Sequence, residues 1–162
     1  MQKIKKKNII KLAAAIAICQ LAGIIGSIFT FSEIPTWYAS LKKPSFSPPN
    51  WLFGPAWITL YTLMGISLYL VWTKGKKNKE MENTMLIFGM QLFLNSVWSY
   101  LFFGLHSPLY GLIGIALLWV SIAVVISRFY KISKNATYLL IPYIAWVSFA
   151  MVLNFFVWIL NV

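Results

Sequence analysis

The sequence predicts an all-α integral membrane protein, a five-transmembrane-helix bundle forming a single domain over residues 1–162. Three observations carry this reading. First, 60% of the residues are apolar, and the 14 basic and three acidic side chains are too few to cover a soluble domain of this length. Second, the apolar residues fall in five runs, each able to cross a hydrocarbon core of about 30 Å, which takes roughly 20 helical residues. Third, the basic residues avoid these runs and collect at one set of their ends. Twelve of the 14 do so, leaving Lys42 and Lys43 alone at the other set. By the positive-inside rule this places the N-terminus in the cytoplasm with the second and fourth connections, and the first connection and C-terminus outside.

Span 1 is Ile9–Phe31, preceded by Lys3, Lys5, Lys6 and Lys7 and entered through Lys11. A signal peptide is the rival reading. Its apolar region covers only about 7–15 residues and ends at a small-residue cleavage site, so span 1 is expected to be a retained helix. Ala15, Cys19, Ala22 and Gly26 recur at helical spacing and let another backbone approach closely, within the bundle or across a dimer. Cys19 is the only cysteine, which excludes an intrachain disulfide and a cysteine-rich metal site.

The first connection, about residues 32–50, is the longest. A connection of that length without helix periodicity is usually functional and often a lid. Pro44, Pro48 and Pro49 restrict their own φ angles and the residues before them, so a stiff loop is expected. The tract Trp37–Trp57 holds four prolines and six aromatic residues. Span 2, 52–73, begins inside it. Pro55 sits in its first turn, where a missing N–H costs little, and Gly54 is expected to permit close packing. Span 3 is 83–104, entered past Lys74, Lys76, Lys77 and Lys79, and span 4 is 108–129, with Pro108 at its first turn. Span 5 is 136–160, entered past Arg128, Lys131 and Lys134, and Pro142 within it is expected to kink or loosen the helix. The lysine clusters are expected to face anionic headgroups of a bacterial plasma membrane rather than nucleic acid.

The ionisable inventory excludes several chemistries. Glu33, Glu80 and Glu82 are the only acids, and all lie outside the apolar cores. The intramembrane carboxylates of a proton-coupled transporter are therefore missing. No nucleophile has a base partner, and no phosphate-binding glycine loop occurs. His106, the only histidine, reads as a solvated turn residue or, less simply, as an axial haem ligand. No metal site is expected.

Aromatic rings and amides remain. Gln91, Asn95, Trp98 and Phe102 share one helix face, as do Trp57, Tyr61, Met64 and Leu68, and Tyr143, Trp146, Ala150 and Asn154. Amides are costly in hydrocarbon unless partnered, so these faces should turn inward, either as interhelical packing or as a pocket. Large flat π surfaces with a few amides suit a flat, mostly apolar ligand. Trp57, Tyr61, Asn95, Trp98, Ala150 and Asn154 fall mid-depth or toward the first-connection end. A pocket beneath a lid is the expected arrangement. Trp72 and Trp119 are expected at the interface or facing lipid.

The ordered set Trp37–Tyr38, Leu41–Lys42–Lys43–Pro44, Pro48–Pro49, Trp51, Gly54–Pro55, Trp57, Leu60–Tyr61, Met64–Gly65, Tyr69–Leu70–Val71–Trp72, Gln91–Leu92, Leu94–Asn95, Trp98, Phe102–Phe103–Gly104, Pro142–Tyr143, Trp146, Phe149–Ala150, Leu153–Asn154 and Trp158 resembles the translocator protein family, the tryptophan-rich sensory proteins. The resemblance implies a five-helix bundle, often a homodimer, that binds porphyrins and drug-like flat ligands under the first loop without an obligatory cofactor. By position, Trp57, Gln91, Asn95, Trp146 and Ala150 would line that pocket, with Trp51 at its lid end. It also implies an alternative, light-dependent porphyrin degradation with Trp57 and Trp146 as candidate electron donors, and a third reading as a small transporter or stress-response scaffold. Phe46 and Tyr110 stand where the family usually has tryptophan, and Gly114 where many members have aspartate. The animal sterol motif needs a basic residue after the aromatic of span 5, and Phe155–Val162 contains none.

Overall fold

A computed structural model describes residues 2–76 and 78–162; for residues 2–7 it describes the backbone alone. The headgroup role expected of Lys3, Lys5, Lys6, Lys7 and Lys77 therefore lies outside the described side chains. All regular structure among the described residues is helical: α1 (Gln2–Thr30), a single turn α2 (Trp37–Ser40), α3 (Phe53–Lys74), α4 (Lys79–Ser99), α5 (Pro108–Ile132), the short α6 (Lys134–Tyr138) and α7 (Ile141–Leu160). Among the described residues, five stretches are long and apolar enough to cross a membrane: Asn8–Thr30, Asn50–Lys74, Lys79–Gly104, Pro108–Ile132 and Lys134–Leu160.

The helix ends follow from local chemistry. Asn78 caps α4 by accepting a hydrogen bond from Met81 N at 2.9 Å, and Glu80 and Glu82 add negative charge to its first turn. Ser107 caps α5 through Tyr110 N, and Pro108 follows in the first turn. The fourth connection is shorter than a loop. Ser133 caps α6 by accepting from Ala136 N, α6 runs five residues, and the backbone breaks at Leu139–Leu140. The expected kink at Pro142 thus falls before the proline, which occupies the first turn of α7. There its missing N–H costs nothing, and its ring stops the preceding helix from continuing. At the other end, α4 passes into a wider π-type turn, Tyr100–Gly104. The extra residue in this turn swings Phe102 and Phe103 inward, where both are buried.

α1 packs on α3 and α4, α4 on α5, and α5 on α7. α6 closes the ring against α3 at the lysine-rich end, where Ser67 Oγ donates to Ala136 O at 2.7 Å. α3 and α7 touch only sparsely, so the bundle parts toward the end that carries the first connection. The small-residue stripe of α1 is spent inside the bundle. Ala15 and Cys19 are fully buried, Ala22 nearly so, and a Cβ at Gly26 would meet Ser99 Oγ at 2.9 Å.

Candidate functional site

Where the bundle parts, it encloses a cavity of about 380 Å³, within the usual range for small-molecule pockets. Its aromatic walls form a connected set. Trp57 stacks on Tyr61 with centroids 5.5 Å apart and lies 6.3 Å from Trp98, which stacks on Phe102 at 5.8 Å. Each of these rings reaches the cavity, with Asn95, Ala150 and Asn154 between them. Six of the residues expected from the sequence thus converge: Trp57, Tyr61, Asn95, Trp98, Ala150 and Asn154. α1 supplies a wall that the helix-face argument missed, through Gln20, Gly23, Gly26 and Ser27. Gly26 reads from the sequence only as a packing residue of the small-residue stripe, and none of the four belongs to the aromatic and amide faces used to find the others.

The polar groups are fixed by pairs that cross the bundle. Tyr61 Oη donates to Asn95 Oδ1, Asn95 Nδ2 donates to Tyr143 Oη at 3.0 Å, and Tyr143 Oη donates to Gln91 Oε1 at 2.9 Å. This chain joins α3, α4 and α7 beneath the cavity. A second buried amide, Asn154, donates to Pro108 O at 2.7 Å and sits 3.5 Å from Trp98 Nε1. Gly111 makes room for it: a Cβ there would stand 2.9 Å from Asn154 Oδ1 and 2.6 Å from Phe102 Cδ2.

Four expected site residues stand elsewhere. Gln91 and Tyr143 are almost wholly buried below the floor, off the cavity wall. Trp146 packs between Phe53 and Phe149 with its Nε1 buried and unpartnered, also off the wall. Helical periodicity assigns a face but not a depth, and it groups Tyr143 with Ala150 although they are two turns apart. Trp51 is 70% exposed, because the turn Asn50–Leu52 that carries it projects before α3 begins. Gly54 has no atom within 4 Å of a would-be Cβ. It lines the cavity and supports no close packing. Trp119 is half-buried, and its Nε1 donates to Ser148 Oγ at 2.8 Å across to α7. Trp72 is 41% exposed, with Lys11 Nζ 5.6 Å from its ring.

The first connection covers the parted end through α2 and the residues before it. Ile34 and Tyr38 reach the cavity; Trp37, Pro44, Pro48 and Pro49 do not. Trp37 instead packs on Phe102 and stacks on His106 at 4.7 Å. His106, at φ 49°, hydrogen-bonds Glu33 Oε2 through Nε2 at 2.7 Å, so it is a partnered turn residue remote from the cavity lining. Lys43 Nζ folds back to donate to Tyr38 O at 2.6 Å and Leu41 O at 3.0 Å. Burial of the Tyr38 hydroxyl, which has no hydrogen-bond partner, pushes its pKa above the ordinary phenol value. The cavity also opens sideways. Ile24, Phe31 and Ile58 belong to its lining yet are exposed on the outer faces of α1, the turn after it, and α3. Gln20 Nε2 bridges Ile58 O at 3.1 Å and Thr62 Oγ1 at 3.0 Å across that gap.

No three His, Cys, Asp or Glu side chains converge among the described residues. What the site offers a ligand is π surface, hydroxyls and amides in an apolar enclosure. A multi-pass α-helical membrane protein with an aromatic, amide-bearing cavity under its first connection is the class that fold and site define.

Comparison with known proteins supplies the particular family. Residues 15–159 match the TspO/MBR family, and the chain belongs to it. It is 47% identical to the tryptophan-rich protein TspO of Archaeoglobus fulgidus, over 95% of this chain and 99% of that one. It is 44% identical to the protein of the same name from Chlorobaculum tepidum, over 96% and 98% of the two chains. It is 38% identical to the translocator protein of Homo sapiens, over 85% and 82%.

Proposed function

We propose that this chain is a membrane receptor or carrier that takes a tetrapyrrole or a related flat, apolar ligand into the cavity beneath its first connection. The observation that carries the reading is the wall itself: Trp57, Tyr61, Trp98 and Phe102 line one space whose polar groups are a few amides and hydroxyls, among them the buried Asn95 and Asn154. Such a wall rewards a broad planar ring, with a small number of hydrogen bonds to orient it. Membership of the TspO/MBR family supports the same reading. Trp57, Tyr61, Asn95, Trp98, Ala150 and Asn154 are the proposed contacts. In this reading the lysine-rich end faces the cytoplasm of a plasma membrane and the first connection faces outward.

The test is saturable quenching of tryptophan fluorescence by protoporphyrin IX in detergent or nanodiscs, with calorimetry as a second measure. Trp57→Phe and Asn95→Ala are each expected to weaken binding about fivefold to tenfold, the worth of one aromatic contact or one hydrogen bond. Wild-type affinity in both variants would remove the cavity from consideration. A second reading rests on the Trp57–Tyr61 stack, which places an indole electron donor on the cavity wall. Here the protein would support porphyrin photo-oxidation by dioxygen. That reading requires a new absorbing product under light, lost in Trp57→Phe; bleaching at the protein-free rate would sink it. Flux of porphyrin into liposomes separates a carrier from a receptor, because a receptor alone moves nothing.

A further inference from the structure

The deepest amide of the bundle is half unpartnered. Gln91 is 1% exposed; its Oε1 accepts from Tyr143, and its Nε2 has no acceptor within reach. A buried N–H without a partner is rarer and costlier than an under-used carbonyl. Gln91 closes the far end of the chain Tyr61–Asn95–Tyr143–Gln91, whose three links all donate away from the cavity. At the near end Tyr61 gives its proton to Asn95, so its oxygen can only accept from a cavity ligand.

The same four side chains support the opposite direction. An amide's oxygen and NH2 have nearly the same shape, so Asn95 and Gln91 can each turn over in place, and the phenol protons can rotate. Gln91 Nε2 then donates to Tyr143, Tyr143 to Asn95 Oδ1, and Asn95 Nδ2 to Tyr61. The unpartnered donor leaves the buried end and becomes the Tyr61 O–H facing the cavity, where a ligand carbonyl can accept it. The unpartnered group left at Gln91 is a carbonyl. One direction therefore suits a ligand that donates, the other a ligand that accepts.

We propose that Gln91 sets the hydrogen-bonding polarity of the cavity through Tyr143 and Asn95, so that the site takes flat ligands bearing either an N–H donor or a carbonyl acceptor. Gln91 is a positioning residue: it meets no ligand and acts by which of its two ends it offers Tyr143. The proposal rests on the cavity being the ligand site.

Two flat tricyclic probes of similar size test it, carbazole with an N–H donor and xanthone with a carbonyl acceptor, both measured by tryptophan quenching alongside protoporphyrin IX. Gln91→Met removes the far acceptor, so Tyr143 turns its proton to Asn95 and the chain is fixed in the reversed direction. Carbazole binding is expected to fall about fivefold, one neutral hydrogen bond, while xanthone binding holds. In a Tyr143→Phe background the link is cut, and Gln91→Met is expected to shift neither probe relative to the other. A measurement on the unsubstituted protein guards against a variant that misfolds. With glutamine 13C-labelled at the side-chain carbonyl, the Gln91 stretch is expected to move to the frequency of a free carbonyl with xanthone and to stay with carbazole. A band that holds still with both probes, or a Gln91→Met variant that weakens both probes equally, overturns the proposal. Failure of all three compounds to bind the unsubstituted protein would overturn the cavity reading itself and this inference with it.

Discussion

Tyr61 keeps its place because residue 23 has no side chain. A methyl group at Gly23 would stand 2.4 Å from Tyr61 Cε2 and 2.7 Å from Cδ2, inside any tolerable contact. The ring is buried and held by Asn95, so it can yield only by swinging toward the cavity and breaking that hydrogen bond. Gly23→Ala should therefore tilt the phenol off Asn95 and leave a buried amide short of a partner, at a cost of about 1–3 kcal/mol. The expected outcome is a lower melting temperature together with weaker protoporphyrin IX binding. Adding Tyr61→Phe to that variant should cost little more, since the hydrogen bond is already lost; full additivity of the two losses would show that Gly23 acts by some other route. This dependence could not be read from the sequence. Trp57, Tyr61, Asn95 and Asn154 announced themselves as polar or aromatic residues on apolar faces, which is a chemical anomaly visible in one dimension. A glycine on α1 announces nothing until the ring it accommodates is known to cross from α3.

At the scale of elements, run length and charge were enough to read the five membrane crossings, because a hydrocarbon core constrains both directly. Their ends were less legible. Pro142 correctly marked a discontinuity in the fifth span, but the break lies at Leu139–Leu140, since a proline disrupts the turn before it and fits the first turn of the helix after it. The π-type turn at Tyr100–Gly104 has no comparable marker, and it is what aims Phe102 and Phe103 inward. One close helix contact was also not legible from residue type or periodicity. α1 and α3 meet where Gly65 faces the backbone of Ile16, and a Cβ at Gly65 would lie 2.5 Å from Ile16 Cα and 2.9 Å from its N. Backbone cannot rotate away as a side chain can, so Gly65→Ala must push the two helices apart. It is expected to destabilise the bundle by about 1–3 kcal/mol, the range for overpacking a close-packed interior. Thermal unfolding in detergent checks this, and a melting temperature equal to that of the unsubstituted protein would mean that α1 moves freely against α3.

Across the whole molecule, the first connection is held by contacts that the chain makes with itself over very long separations. Lys42 N donates to Asn161 Oδ1 at 3.0 Å and Asn161 Nδ2 returns a bond to Lys42 O at 2.9 Å, joining the loop to the end of α7. On the opposite side His106 and Glu33 join the start of the loop to the turn before α5. Phe46 bridges the remaining gap by packing edge-on against Phe156 at 5.5 Å. The connection is thus pinned at Glu33 and at Lys42, and between these two points Ile34 and Tyr38 reach the cavity. Each pin is exposed to water, so each is weak alone, on the order of 0.5–1 kcal/mol. Weak pins matter little to global stability and much to the rate at which a cover lifts, because opening breaks them without unfolding a helix. Asn161→Ala and Glu33→Gln should each speed release of bound protoporphyrin IX about threefold in stopped-flow dilution, leaving the melting temperature nearly unchanged. The double variant should multiply the two effects, since the pins lie on separate flanks. Unchanged release in the double variant would mean that ligand leaves through the slot between α1 and α3, beneath Gln20, with the cover still in place. In that case Gln20→Ala, which removes the bridge to Ile58 and Thr62, becomes the substitution that accelerates release.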